Sequence, residues 1–433
     1  MTNLRLDVSS LIKVSKYLVP LVTGLLLGLA SLLSAADVVI TSEQKGAETI
    51  ALGFTDFKCS KGNANTVSFN PGAVLSWDLE FSGRFKVKSS PVFDSASKGL
   101  FKSEGALAYV RGEYTFEGDN FTLQCDLMDL ETGERIIGKK YSGKKTELRL
   151  SSHKFSDELV YQLFGEKGIA LSRIVYVTKH AGNKEIAVMD YDGASVEDVT
   201  KNKSINLMPC WVEGKSKVLY TSYLAGQPQF YLKDFENGKN GVFFTSKGMN
   251  TSPGYNKMDK EIVYTSTVDG NSEIYRRGFP EGKPQRLTFS GSIETSPSWS
   301  PNGYEIVFIS DRGGKPMLHI MDREGANLRS VTHDGEYYGS PSWSPKGGRI
   351  AYSAMDEGNN MNIMTISPDG KDPLKLTTGA GSNENPSWSP DGRHLVFMST
   401  RTGSSEIFMM NSDGTSQKRI SFSGNNFMPK WSE

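Results

Sequence analysis

The residue types that carry out catalysis are present in this sequence, but they do not form a recognised catalytic pattern. No Gly-x-Ser-x-Gly, His-Glu-x-x-His or Cys-x-x-Cys motif occurs, and no Gly-x-Gly-x-x-Gly follows a predicted strand. The histidines are not spaced as metal-binding pairs, and His153 is predicted to open a helix. We therefore predict no catalytic residue, no metal site and no cofactor.

Two patterns come closer to a chemical site. Gly138 to Lys144 has the spacing of a phosphate-binding loop, but Lys145 replaces the Ser or Thr that binds Mg²⁺, and the context is a hairpin. Glu294, Asp311 and Asp356 would suit glycoside hydrolysis if they converged, since that reaction needs two carboxyl groups within several Å. Their turn and loop positions favour solvated acids instead.

Composition limits the class of protein further. The 433 residues contain 49 Lys and Arg against 49 Asp and Glu, a formal net charge of zero, which argues against nucleic acid as a partner. The 44 glycines exceed the usual share and indicate many tight turns between short strands.

An internal repeat determines the architecture. Pro-x-Trp-Ser-Pro occurs at 297–301, 341–345 and 386–390, and weaker copies extend the series in both directions. The aromatic residues of the six copies are 43 to 45 residues apart: Trp211, Tyr255, Trp299, Trp343, Trp388 and Trp431. One bulky aromatic per repeat at fixed phase is typical of packing between neighbouring sheets, so we interpret these six as core residues.

Each repeat carries four strand signals, which is typical of a β-propeller blade. The first repeat, from Ile174, lacks its Pro-x-Trp strand, whereas Phe427 to Glu433 is such a strand with nothing after it. The C-terminal strand is therefore predicted to complete blade one and to remove two free sheet edges. The fold class is mainly β: a six-bladed β-propeller at 169–433, preceded by a smaller α+β domain at 37–165.

The α+β domain lacks the repeat. Asn70-Pro71-Gly72 predicts a helix start that continues to Gly83, and Ser151 or Ser152 opens a second helix that includes Asp157 to Phe164. Between them a three-stranded meander is predicted over Ala106 to Phe116, Phe121 to Leu130 and Glu134 to Tyr141.

Residues 1–36 have the order of a secretory signal peptide. Arg5, Lys13 and Lys16 precede the apolar stretch Tyr17 to Leu33, and Ser34, Ala35 and Ala36 follow. An uncleaved anchor is the alternative, but cleavage near Ala35 or Ala36 leaves a mature chain without a membrane span. Export makes a disulfide between Cys59 and Cys125 conceivable, although two small buried hydrophobic residues fit the pattern equally well.

The junction of the two domains resembles the TolB family of the Tol-Pal system in Gram-negative cell envelopes. The matching residues are Leu148-Arg149, His153, Ser156-Asp157-Glu158, Gly165, Lys167-Gly168 and Ile174 to Val177, together with Ser82 to Phe85 and Val110 to Gly112. The chain departs from the family pattern at Trp211-Val212-Glu213, at Tyr255-Asn256-Lys257 and at Gly53-Phe54-Thr55, which lacks a usual Pro.

This resemblance implies a monomeric periplasmic scaffold that supports outer-membrane integrity, cell division and protein transport, and no enzyme. The Pal-like peptidoglycan-associated lipoprotein would bind one propeller rim, and a TolA-like inner-membrane protein would bind the N-terminal segment Asp37, Val38, Val39, Ile40 and Thr41. The rim residues expected to bind are Asn250, Thr251, Ser252, Glu294, Thr295, Ser296, Tyr337, Tyr338 and Asn383. A secreted propeller hydrolase and a carbohydrate-binding propeller are the alternatives.

Overall fold

The computed structural model describes residues 49–433 except 181 and 380. The predicted signal peptide and the segment Asp37 to Thr41 lie outside the described residues. Within the described part of the chain, no helix combines the length and the apolar character needed to cross a bilayer.

The N-terminal α+β domain is one sheet covered by helices. Its strand order is β3-β1-β4-β5-β6, and β2 pairs with β4. The strands are β1 (Ile50–Thr55), β2 (Lys58–Lys61), β3 (Phe85–Ser90), β4 (Ala108–Glu117), β5 (Asn120–Asp129) and β6 (Arg135–Lys144). The helices are α1 (Pro71–Phe81), α2 (Ser95–Ser103) and α3 (Leu148–Phe164). Strands β4 to β6 form the antiparallel meander that the sequence predicts.

The helix ends follow ordinary capping chemistry. Asn70 accepts hydrogen bonds from the backbone N–H groups of Gly72 and Ala73, which fixes the start of α1 as predicted. Helix α3 begins earlier than predicted, at Leu148, because Ser151 donates its hydroxyl to the carbonyl of Glu147 and so lies inside the helix. His153 is consequently a buried residue within α3, and the expectation that it opens a helix is wrong.

The propeller has six four-stranded antiparallel blades, which confirms the predicted fold class. Blade 1 consists of β30 (Asn426–Trp431), β7 (Arg173–His180), β8 (Asn183–Asp190) and β9 (Glu197–Asp198). Blade 2 consists of β10 (Asn206–Val212), β11 (Lys217–Ser222), β12 (Gln229–Asp234) and β13 (Asn240–Phe244), and blade 3 of β14 (Asn250–Asn256), β15 (Glu261–Ser266), β16 (Glu273–Gly278) and β17 (Gln285–Arg286).

The remaining three blades repeat this arrangement. Blade 4 consists of β18 (Glu294–Trp299), β19 (Glu305–Ser310), β20 (Met317–Asp322) and β21 (Arg329–Ser330). Blade 5 consists of β22 (Tyr338–Trp343), β23 (Ile350–Met355), β24 (Met361–Ile366) and β25 (Leu374–Lys375), and blade 6 of β26 (Asn383–Trp388), β27 (His394–Ser399), β28 (Glu406–Asn411) and β29 (Lys418–Arg419).

The ring closes through blade 1, where the last strand of the chain pairs with β7. Trp431 lies opposite Ile174 in this ladder, and Arg173 exchanges two hydrogen bonds of 2.8 Å with Ser432. The indole nitrogen of Trp431 donates to Ser172 Oγ at 2.7 Å. This pairing covers the edge of β7, and β30 takes the position that the inner strand has in each of the other blades.

The repeated tryptophans pack between blades, as their phase predicts. All five are buried, and two of them also donate to a carbonyl of the preceding blade: Trp211 to Lys430 at 2.9 Å and Trp388 to Ser342 at 3.1 Å. Tyr255, the one non-tryptophan of the series, is only half-buried and packs edge-on against Phe279.

Each inner strand contains a β-bulge whose backbone is left-handed. In all six blades, the residue before the proline of the Pro-x-aromatic motif has a φ of 49° to 56°. These residues are Met208, Ser252, Ser296, Ser340, Asn385 and Met428. Non-glycine residues rarely adopt this conformation. The six residues form a ring around the central channel, and we refer to them as the bulge ring.

The three cysteines are free. Strand β4 lies between β2, which carries Cys59, and β5, which carries Cys125, so the two residues are two strand spacings apart. Two spacings exceed the roughly 7 Å that a disulfide tolerates between Cα atoms. Burial raises the pKa of the Cys125 thiol well above its usual range, in agreement with its role as a small core residue.

Candidate partner-binding surface

The predicted rim lies on the propeller face where the loop before each inner strand meets the hairpin between the second and third strands. Three of the predicted binding residues are the first residues of inner strands and are fully buried: Asn250, Glu294 and Asn383. Asn250 accepts from Ser266 at 3.0 Å, and Asn383 accepts from Arg401 at 2.8 Å. These buried side chains join the loop before the inner strand to the hairpin between the second and third strands, and they do not reach the surface.

Glu294 shows why burial overturns the expectation of a solvated acid. Its Oε1 atom accepts hydrogen bonds from Ser290, Ser310 and the Arg312 guanidinium at 2.6 to 3.0 Å. A buried carboxylate needs such partners, because an unpaired charge is costly to desolvate.

The other two acids considered for hydrolysis accept hydrogen bonds from backbone N–H groups. Asp311 accepts the backbone N–H of Ile293 at 2.7 Å, and Asp356 accepts those of Gly358 and Asn360 at 3.0 Å. The three acids, two in blade 4 and one in blade 5, therefore serve as local structural acceptors.

The remaining predicted rim residues divide between the channel wall and the surface. Thr251, Ser252, Thr295 and Ser296 are half-buried, and Ser252 and Ser296 belong to the bulge ring. Tyr338 is half-buried, stacks edge-on against Tyr352 and donates its hydroxyl to the carbonyl of Asp334. Tyr337 is exposed on the rim.

An exposed apolar series on the same rim contains the predicted Tyr337 and three residues that the sequence analysis does not predict. It comprises Ile205, Met249, Ile293 and Tyr337, each immediately before the first residue of an inner strand, with exposures of 43% to 53%. We call these four residues the apolar arc. Their spacing of 44 residues is visible in the sequence, and an apolar residue next to a turn at that period could have identified them.

Backbone hydrogen bonds fix the position of the apolar arc. The carbonyls of Ile205, Met249, Ile293 and Tyr337 each accept the N–H of the residue that begins the neighbouring hairpin, at 2.9 to 3.4 Å. Contiguous exposed apolar surface rimmed by polar residues is typical of protein interaction sites. Blade 2 extends it with the exposed hairpin residues Tyr223 and Leu224.

The opposite face of the propeller carries the N-terminal domain. Trp77 and Phe81 of α1 pack against the core of blades 1 and 6, where Phe81 stacks on His394 with ring centroids 4.0 Å apart. The Lys418 ammonium lies 3.4 Å from the Trp77 ring centroid, a cation–π contact. Glu166 bridges Arg84 of the N-terminal domain and Arg393 of blade 6, the latter at 2.9 Å.

A buried hydrogen-bond network joins the two domains beside this contact. Asp78 of α1 accepts from His153 Nδ1 at 2.7 Å and from the Tyr191 hydroxyl of blade 1 at 2.6 Å. Burial raises the pKa of Asp78; burial also opposes the charged form of His153, but the Asp78 carboxylate raises the pKa of His153 above its ordinary value. The raised pKa values of Asp78 and His153 both favour a proton held between these two side chains.

The segment between the domains is tied to α3 by a second acid. Asp157 accepts the backbone N–H groups of Ala170 at 2.9 Å and Leu171 at 3.2 Å. Burial raises the pKa of Asp157 to about 6. This residue therefore fixes the path of the chain into blade 1.

Among the described residues, His153, Asp190 and Asp192 are close enough to share a metal ion, with their ligand atoms within 4.8 Å of one another. The Arg149 guanidinium already pairs with Asp192, and an arginine beside the group provides the positive charge that a metal would otherwise supply. The arrangement thus has the character of an ion-paired joint between domains.

Comparison with known proteins identifies relatives of this fold. Residues 160–372 and 339–433 match the family described as the TolB beta propeller domain. The chain is 36% identical over 193 residues to the Tol-Pal system protein TolB of Geobacter sulfurreducens, covering 41% of this chain and 45% of the relative. It is 32% identical over 185 residues to a TolB homolog of Chlorobium chlorochromatii, covering 40% and 42%.

A solved structure extends the likeness to both domains. The crystal structure of TolB from Acinetobacter baumannii aligns with a TM-score of 0.74 at 23% identity, covering 89% of this chain and 97% of that one. At that identity the alignment establishes the shared fold. The sequence matches to the curated relatives span less than half of their length.

Proposed function

Because the chain belongs to the TolB β-propeller family, we propose that it is a periplasmic scaffold of the Tol-Pal envelope system that binds two protein partners. The family is one of TolB proteins, in line with the expectation that the chain is not an enzyme. One partner is a Pal-like lipoprotein that docks on the propeller rim. The other is a TolA-like protein that binds Asp37 to Thr41.

The apolar arc carries this proposal. Four apolar side chains at the same position of successive blades lie on the face that is free of the N-terminal domain. Aromatic and methionine side chains are enriched at interfaces because they bury large area on docking. Thr251 and Thr295 lie two residues after Met249 and Ile293 and would add polar contacts next to them.

The alternative of a hydrolase gains no support from the acids. Glu294, Asp311 and Asp356 are each engaged within their own blade by hydrogen bonds or ion pairs. Paired catalytic carboxylates need a shared cleft where one acid can hold a proton for the leaving group.

Replacing Met249, Ile293 and Tyr337 together by serine should weaken binding of the Pal-like partner at least about tenfold, because three exposed anchors would be lost. The melting temperature should stay within about 2 °C, since these side chains project from the fold. Calorimetric titration and a thermal melt measure the two effects.

The matched control replaces Met258 and Tyr304 by serine. Both are 65% exposed, but they lie in turns between the first and second strands and hence on the opposite face. Their loss should leave the affinity unchanged. Equal affinities for the rim variant and the unmodified protein would contradict the placement of the partner on the apolar arc.

Deletion of Asp37 to Glu43 should abolish binding of the TolA-like partner and leave binding of the Pal-like partner intact. A short apolar, β-prone segment can add a strand to a partner's sheet edge, and its removal takes away all of those main-chain hydrogen bonds. Pull-down with each partner separately measures the outcome. Retained TolA binding would place that interface elsewhere.

A further inference from the structure

The central channel of the propeller contains one charged side chain at a position where the other blades have small residues. The middle residue of each Pro-x-aromatic motif lines this channel: Cys210, Gly254, Ser298, Ser342, Ser387 and Lys430. Five of these are small and uncharged, and the sixth is a lysine. Lys430 is therefore the one charged side chain among the described residues that line the rim-side part of the channel, where serines, prolines, Asn385, Met208 and Met428 are its neighbours.

No acidic side chain in the described part of the chain pairs with Lys430. Glu433 lines the same part of the channel as Lys430, but its carboxylate pairs with Lys257 at 2.7 Å. Burial lowers the pKa of Lys430, and among the described residues the Cys210 thiol opposes this shift. An ammonium that is withdrawn from water without a counter-charge attracts an anion from solution.

The bulge ring surrounds this ammonium on the rim side. The cavity has a volume of about 110 Å³ and is bounded by Ser252, Ser296, Ser340, Asn385 and Lys430 together with the prolines that follow the ring. Ser340 accepts from the Asn385 amide at 2.8 Å, so its own hydroxyl hydrogen remains available to a ligand. All six residues of the bulge ring have a left-handed backbone conformation. Such a conformation persists only where the surrounding structure is rigid.

We propose that this channel is a receptor for a single carboxylate group, bound by the Lys430 ammonium and the hydroxyls of Ser296 and Ser340 in the bulge ring. One positive charge matches a monoanion, whereas a phosphate dianion would leave a charge uncompensated in the channel. The cavity has room for a carboxylate together with ordered waters, because about 10–15 Å³ of such cavity volume already holds one water. The carboxylate can come from a small free acid or from an acidic side chain of a peptide segment that enters from the rim.

The test uses two probes on the full mature chain. The first is sodium acetate, followed by the intrinsic fluorescence of the tryptophans that line the adjoining part of the channel. The second is a fluorescein-labelled, end-capped Gly-Gly-Glu-Gly-Gly peptide, followed by anisotropy, with the Gln analogue as its uncharged counterpart. Saturable binding of acetate alone identifies a free acid as the source, and saturable binding of the Glu peptide identifies a peptide side chain.

The variant Lys430→Met should weaken binding of the responsive probe at least tenfold and should raise or preserve the melting temperature, because an unpaired charge is removed. Lys430→Arg should retain most of the binding. The matched control is Lys283→Met, which makes the same charge change at an exposed lysine of the loop between β16 and β17 and should bind as the unmodified protein does.

Three results would overturn the proposal. One is the absence of saturable binding of either probe, and another is equal binding by Lys430→Met and the unmodified protein. The third is equal binding of the Glu and Gln peptides in a protein that does not bind acetate.

Discussion

A chain truncated before Phe427 is expected to unfold at a temperature more than 10 °C below that of the intact protein, or to accumulate as aggregate. The truncation removes the inner strand of blade 1 and with it buried Trp431, whose loss alone is of the order of 3–5 kcal/mol. It also exposes the edge of β7 and the flank of blade 6, and open edges promote aggregation. Thermal melting and analytical size exclusion measure both consequences.

A point substitution near the truncated strand serves as the control. Phe422 lies a few residues earlier and is 71% exposed, so Phe422→Ser should melt within about 1 °C of the unmodified protein. A truncated chain that melts together with this control would show that the C-terminal strand does not close the ring.

The second large effect is expected from Asp78→Ala at the domain joint. This substitution leaves His153 Nδ1 and the Tyr191 hydroxyl without their acceptor in a buried site, which should cost about 3–5 kcal/mol of the free energy of unfolding. Chemical denaturation should show a lower midpoint. Limited proteolysis should cut the segment between Gly165 and Ser172 faster, because α1 no longer anchors the N-terminal domain on blade 1.

Two further variants separate the contributions. Tyr191→Phe removes one of the two hydrogen bonds and should cost about 1 kcal/mol, while Asp56→Ala removes an exposed carboxylate and should be neutral. A midpoint for Asp78→Ala that matches that of Asp56→Ala would mean that the buried network does not hold the domains together.

The blades could be predicted from the sequence because their signal is repeated six times and arises from packing. A tryptophan at a fixed phase wedges neighbouring sheets, and strands such as Ile306 to Phe308 are continuous β-branched or aromatic runs. Helix α2 was not predicted, because its nine residues include Gly99 and its cap depends on a reciprocal pair, Asp94 and Ser97, that a short polar stretch does not reveal.

The surface was harder to predict because polarity alone does not indicate exposure. Asn250 and Glu294 are predicted on the rim because they precede the repeated motif, but a buried serine at the end of the second strand binds each of them. Conversely, Ile293 is apolar and exposed. The polar residues that begin the inner strands and the apolar residues just before them recur at the same period in the sequence. Only the structure shows that the apolar residues are the ones exposed to solvent.

The backbone pairing beneath the apolar arc has a consequence for how this protein can change. The loop that carries each arc residue is held by a main-chain carbonyl, so the frame of the rim does not depend on which side chain occupies the position. Substitutions at these exposed positions are therefore expected to change the surface of the rim with little effect on the stability of the fold. Positions 205, 249, 293 and 337 are consequently the natural place to randomise in a display library, and the six-bladed ring would serve as a rigid carrier for new specificities.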